Sequence, residues 1–133
     1  MFAHGAVLRK NFFDPEQLKA LIRDHHDAGL SEEEVAVMDF AMKVIHDAHH
    51  ITPADIEPLR KHGLADEEIL DIILAAAARS FFSLTLDALG AQPDEAYREH
   101  IHGLEDVLAV GRPYIPPGDE PDIPNETAKP EGT

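Results

Sequence analysis

Nine histidines and no cysteine set the chemistry open to this 133-residue chain. Without a thiol there is no disulfide, no cysteine-ligated zinc or iron–sulfur cluster, and no thiolate nucleophile. What remains is proton transfer and metal ligation by imidazole and carboxylate. His46 and His50 stand four apart, so a helix can present both on one face, a spacing able to seat zinc or nickel. Asp47 and His49 lie beside them. The competing reading is electrostatic. Histidines near a helix C-terminus gain from its partial negative charge, and His50 falls just before Ile51-Thr52-Pro53, where a helix should end. His25-His26, flanked by Asp24 and Asp27, and the pair His100 and His102 read as solvated surface unless pairs from several subunits meet. No bound cofactor is expected.

Carboxylate pairs carry little information here, because Asp and Glu outnumber Lys and Arg by 26 to 11 and the formal charge is −15. The runs Glu32-Glu33-Glu34 and Asp66-Glu67-Glu68 are explained by helix starts, where acids meet the positive end of the dipole. The charge opposes binding to nucleic acid and to anionic membrane surfaces. The only basic clusters are Arg9-Lys10 and Arg60-Lys61-His62. There is no Gly-x-Ser-x-Gly elbow, phosphate-binding glycine loop or dinucleotide fingerprint. No run of eighteen apolar residues suggests a membrane span, and Met1-Phe2-Ala3-His4-Gly5 lacks a signal-peptide layout, so a cytoplasmic location is expected.

The elements around these residues are helices. Asp14-Pro15-Glu16 reads as an N-cap, a first-turn proline and a first-turn acid, with Leu18, Leu21 and Ile22 following and Gly29 as a stop. Ser31 to Glu34 is a capping-box pattern, and Val35, Met38, Met42 and Ile45 form a stripe running to about His49. Thr52-Pro53 opens a short helix closed by Gly63, which Pro58 should distort or shorten. A long helix over 66–89, ended by Gly90, is apolar around most of its circumference, from Ile69 through the alanines 75–78 to Leu89. Such a helix should be buried on several sides, partly by other subunits. Arg79 and Asp87 within it are expected to be structural, with Arg79 a partner for an acid, and Asp71 likewise structural. Pro93-Asp94-Glu95 can begin a last helix carrying Tyr97, Ile101, Leu104 and Leu108, weakened by Gly103. The expected organisation is an all-α domain over 1–110 and an acidic, proline-rich disordered tail over 111–133.

Several phrases occur together in a fixed order: His4-Gly5-Ala6-Val7-Leu8-Arg9-Lys10, Met38-Asp39-Phe40-Ala41-Met42-Lys43, Ile51-Thr52-Pro53-Ala54-Asp55-Ile56, Leu59-Arg60, Gly63-Leu64, Asp66-Glu67-Glu68-Ile69-Leu70-Asp71 and Asp87-Ala88-Leu89-Gly90. In that order they resemble the alkylhydroperoxidase D-like proteins of the carboxymuconolactone decarboxylase superfamily, and within it the peroxidase-related branch. The resemblance spans about residues 4–97. It implies an all-α helical bundle, here the C-terminal part of the family fold, and assembly into trimers or hexamers. It also implies a thiol peroxidase site built from a Cys-x-x-Cys pair, a histidine four residues on, and an upstream glutamate.

His4 matches the motif histidine and is the candidate catalytic residue that the resemblance supplies. The cysteines and the glutamate have no counterpart in the chain, the nearer cysteine falling just ahead of Met1 by this register. Thiol peroxidase chemistry is therefore expected to be absent from the chain as it stands. Two histories fit: a reading frame shortened at an internal methionine, or a short form that keeps the scaffold and has lost the chemistry. The alternatives are a non-catalytic helical oligomerisation module, held by the 66–89 helix, and a metal-binding protein using His46 and His50.

Overall fold

A computed structural model describes residues 2–92, 94–97, 100 and 102–108, and the expected proline-rich tail lies outside them. The described residues form helices and turns, without a strand among them. The helices are α1 (Phe2–Asn11), α2 (Pro15–Arg23), α3 (Glu32–Asp47), α4 (Pro53–Lys61), α5 (Asp66–Leu89) and α6 (Glu105–Leu108), with 3-10 turns at His25–Asp27, Ala48–His50 and Glu95–Tyr97.

Local chemistry accounts for most of the boundaries. Asp14 accepts from the Gln17 backbone N–H at 2.8 Å, and Pro15 occupies the first helical position, where its missing N–H costs nothing. Ser31 and Glu34 form the full capping box: Glu34 N donates to Ser31 Oγ at 3.2 Å, and Ser31 N to Glu34 Oε2 at 2.8 Å. The Ser31 hydroxyl also donates to Glu34 Oε2 at 2.8 Å, and the two donations from Ser31, backbone first and hydroxyl second, hold the Glu34 carboxyl below its usual pKa. Gly90 closes α5 in the left-handed conformation, φ 69°, a region that costs a residue with a Cβ.

Two boundaries differ from the sequence expectation. α2 stops at Arg23, well short of Gly29. Asp24 takes an extended backbone, φ −157°, and its carboxylate accepts from the His26 N–H, opening a separate 3-10 turn in place of another helical turn. α4 ends at Lys61, ahead of Gly63 as expected, with Pro58 inside it. The last segment is not one helix: a 3-10 turn at Glu95–Tyr97 and the short α6 are separated by a turn in which Gly103 has φ 80°.

Packing divides into two small cores. In the first, Ala6 of α1, Leu18 of α2, and Leu104 and Leu108 of the C-terminal segment are buried together, with Leu8, Phe13, Leu21, Ile22 and Tyr97 around them. Arg9 fastens this segment by donating from Nη1 to the carbonyls of His100 and His102 at 2.9 and 3.0 Å. In the second, Phe40 of α3, Leu59 of α4 and Ile69 of α5 are buried, flanked by Val37, Val44, Ile56, Ile72 and Ile73. Lys43 and Asp55 tie α3 to α4 at 2.5 Å, and Arg60 pairs with Asp66 at 2.8 Å across the turn into α5.

α5 is not buried on several sides within one chain. Ile69 and Ala76 are its buried residues, whereas Leu70, Leu74, Phe81 and Leu84 are 53%, 56%, 66% and 70% exposed. Their spacing of four, seven and three residues places them on one stripe, beside the face that meets α3. α5 is also long and apolar enough to cross a membrane by length and composition.

Candidate functional site

The tightest grouping of chemically capable side chains sits where the two cores meet. The 3-10 turn after α2 carries His25 and His26, and the second turn of α3 brings Asp39 against them. His25 Nε2 lies 2.8 Å from Asp39 Oδ1, and His26 Nε2 lies 3.1 Å from the same oxygen. On its other side, His26 Nδ1 is 2.9 Å from Asp24 Oδ1. The two imidazole centroids are 4.2 Å apart. The His25 side chain is mostly buried, while His26, Asp24 and Asp39 are about half exposed.

The electrostatics follow from these contacts. The hydrogen bond from the His26 backbone N–H, then that from its imidazole, lowers the Asp24 carboxyl pKa. Bonding first to Asp24 and then to Asp39 raises the His26 pKa. Both shifts express one fact: His26 is flanked by carboxylates at both ring nitrogens, an environment that favours positive charge on or at the ring.

A second grouping follows α3. Asp47 Oδ1 lies 2.6 Å from His50 Nδ1 and 3.8 Å from His49 Nε2, and the two rings are 4.1 Å apart. The helical register breaks at Asp47, whose φ is −150° and ψ 40°. His50 therefore leaves the face that His46 occupies, and the compact group is Asp47, His49 and His50 rather than His46 with His50. Its ligand atoms come from the last residue of α3 and the 3-10 turn directly after it.

His4 lies in the first turn of α1 and is exposed; no hydrogen bond to its imidazole occurs among the described residues. The next residue, Gly5, is buried against Leu108. Arg79 donates to Ser83 Oγ, one turn along α5, rather than to an acid. Asp71 and Asp87 are exposed.

No family profile matches the chain, and no curated protein does. Among solved structures it is similar to an alkylhydroperoxidase AhpD core, an uncharacterized peroxidase-related protein from Ralstonia eutropha JMP134. Identity is 30%, the TM-score is 0.66, and the match covers 72% of this chain and 50% of that one. The chain has an alkylhydroperoxidase D-like fold. It spans half the length of that relative and contains no cysteine. Asp39 of the histidine cluster sits in one of the phrases through which the sequence resembles the family.

Proposed function

We propose that this chain is a scaffold-keeping alkylhydroperoxidase D-like protein that forms a homo-oligomer in the cytoplasm and carries no thiol peroxidase activity of its own. The observation behind the reading is the pairing of an AhpD-like fold with a chain free of cysteine. Reduction of a peroxide at such a site needs a thiolate to take the oxygen and a second thiol to resolve the sulfenic acid. His4 can move a proton but cannot accept an oxygen atom. A second feature favours assembly: the stripe of Leu70, Leu74, Phe81 and Leu84 leaves apolar surface in water that a neighbouring subunit can cover.

Two measurements test the reading. Purified chain mixed with hydrogen peroxide or an organic hydroperoxide and a dithiol reductant should consume peroxide no faster than buffer. Light scattering on the eluting peak should give three or six times 14.7 kDa. Turnover above the blank overturns the loss of chemistry, and a monomer at micromolar concentration overturns the assembly.

A further inference from the structure

The contacts around His26 are not satisfied by a neutral imidazole. A neutral ring carries one N–H. If that proton is on Nδ1 it serves Asp24, and Nε2 then points a lone pair at the Asp39 carboxylate 3.1 Å away. If it is on Nε2, the lone pair on Nδ1 faces Asp24 at 2.9 Å. Either tautomer sets an acceptor against an acceptor. Two species resolve the conflict: an imidazolium with both nitrogens protonated, or an imidazole with Nδ1–H on Asp24 and a cation at Nε2. The second is the carboxylate–histidine–metal arrangement, in which an outer carboxylate fixes the ring and raises its basicity.

His25 favours the second. Its Nε2 lies 2.8 Å from the same Asp39 oxygen, so both imidazole Nε2 atoms stand within 3.1 Å of one carboxylate oxygen, and Asp24, His25 and His26 offer ligand atoms within 4.8 Å of one another. A tetrahedral zinc ion with ligands near 2.0–2.1 Å separates neighbouring donor atoms by about 3.3 Å. The gaps of 2.8 and 3.1 Å need to open by only a few tenths of an ångström to admit it. With neutral rings, the two carboxylates carry two negative charges, which one divalent ion balances, and the formal charge of −15 favours cation approach from a distance.

We propose that His25 Nε2, His26 Nε2 and the Asp39 carboxylate form a site for a divalent transition ion of the zinc type, with Asp24 orienting His26 from behind and solvent completing the coordination. The ligands come from two elements, the 3-10 turn that follows α2 and helix α3. The ion therefore clips the first core to the second. This distinguishes the site from Asp47, His49 and His50, which are neighbours in sequence at the end of α3. The proposal stands apart from the peroxidase and assembly readings and survives the failure of either.

The test uses untagged chain with the second histidine group removed, as His49→Gln/His50→Gln, so that it does not mask the first. Titration with zinc chloride should show one ion per chain, and the midpoint of thermal unfolding should rise by several degrees with zinc. Cobalt(II) should give visible absorption bands of low-coordinate nitrogen and oxygen ligation. Replacing His26, half exposed, by Gln or Asp39 by Asn should weaken zinc binding at least tenfold and remove the thermal shift. Asp24→Asn, which leaves the three ligands in place, should weaken it 10- to 100-fold, as outer-shell changes do. Circular dichroism without metal checks that each variant is folded. The proposal is overturned if zinc fails to bind this background at one per chain, or if folded His26→Gln and Asp39→Asn variants bind it unchanged. Loss of zinc binding on replacing His46 alone would equally overturn it.

Discussion

Gly5 and Leu108 approach so closely that a Cβ on Gly5 would stand 2.7 Å from both Leu108 methyl carbons. Leu108 is 2% exposed and packs with Ala6, Leu18 and Leu104, so its methyls have no free space to retreat into. The contact docks α6 onto α1, and Arg9 secures the same segment through the carbonyls of His100 and His102. Glycine thus stands mid-helix for lack of room, at a propensity cost of about 1 kcal/mol relative to alanine.

Gly5→Ala should accordingly destabilise the chain by about 1 kcal/mol net, overpacking of about 1–3 kcal/mol outweighing the helix gain. The sign should reverse when Leu108 is already Ala, because the added methyl then fills a cavity. Urea denaturation of the four combinations reads the coupling directly. Equal effects of Gly5→Ala in both backgrounds would show that the two side chains do not compete for space.

Asp55 predicts a pH dependence. Its Oδ1 accepts from Lys43 Nζ at 2.5 Å, and its Oδ2 accepts from Thr52 N and Oγ1 at 2.7 and 2.8 Å. Lys43 first, then Thr52, pulls its pKa down to about 2. A depressed carboxylate contributes fully above its unfolded pKa, about 4, and loses that contribution as pH falls through the folded value. Asp55→Asn should therefore be less stable than wild type near neutrality, with the gap closing between about pH 4 and about pH 2. The difference in urea midpoint between the two proteins is the quantity to follow, since the many other carboxylates act on both alike. A gap that is constant down to about pH 2 would mean that the Lys43–Asp55–Thr52 contacts do not set the stability difference.

What was legible in the sequence was punctuation. Asp14-Pro15, Ser31 with Glu34, Gly63 and Gly90 mark helix ends through contacts within a few residues, and such signals can be read without knowing the fold. The phrases shared with the alkylhydroperoxidase D-like proteins carried the family. The histidine cluster was illegible for a physical reason. Asp39 is 13 residues from His26, on the following helix, and no periodicity links them. The rings reach α3 because α2 ends at Arg23, where the Asp24 carboxylate captures the His26 N–H and opens a 3-10 turn. The pairing of His46 with His50 assumed an unbroken helix, and the backbone at Asp47 removes that assumption. The exposure of α5 was hidden too, because composition reports how apolar a helix is and not how many neighbours it has in its own chain.

The α5 stripe yields the sharpest mutational contrast. Leu74 and Phe81 are 56% and 66% exposed in the single chain, so a charge there disturbs no packing within the protomer. Exposed substitutions of that kind usually change folding stability by within about 0.5 kcal/mol. Placed in a subunit seam, the same charge is desolvated without a partner and the seam separates. Leu74→Glu/Phe81→Glu should therefore lower the mass measured by light scattering to 14.7 kDa while the helical circular dichroism of the protomer persists. Leu59→Ala is the opposite control. Leu59 has no exposed surface and lies between α3, α4 and α5, so its truncation should cost about 2–5 kcal/mol of folding stability. A double Glu variant that keeps the wild-type mass would move the seam to the other exposed side of α5, where Phe82, Leu86 and Leu89 lie 64%, 48% and 77% open.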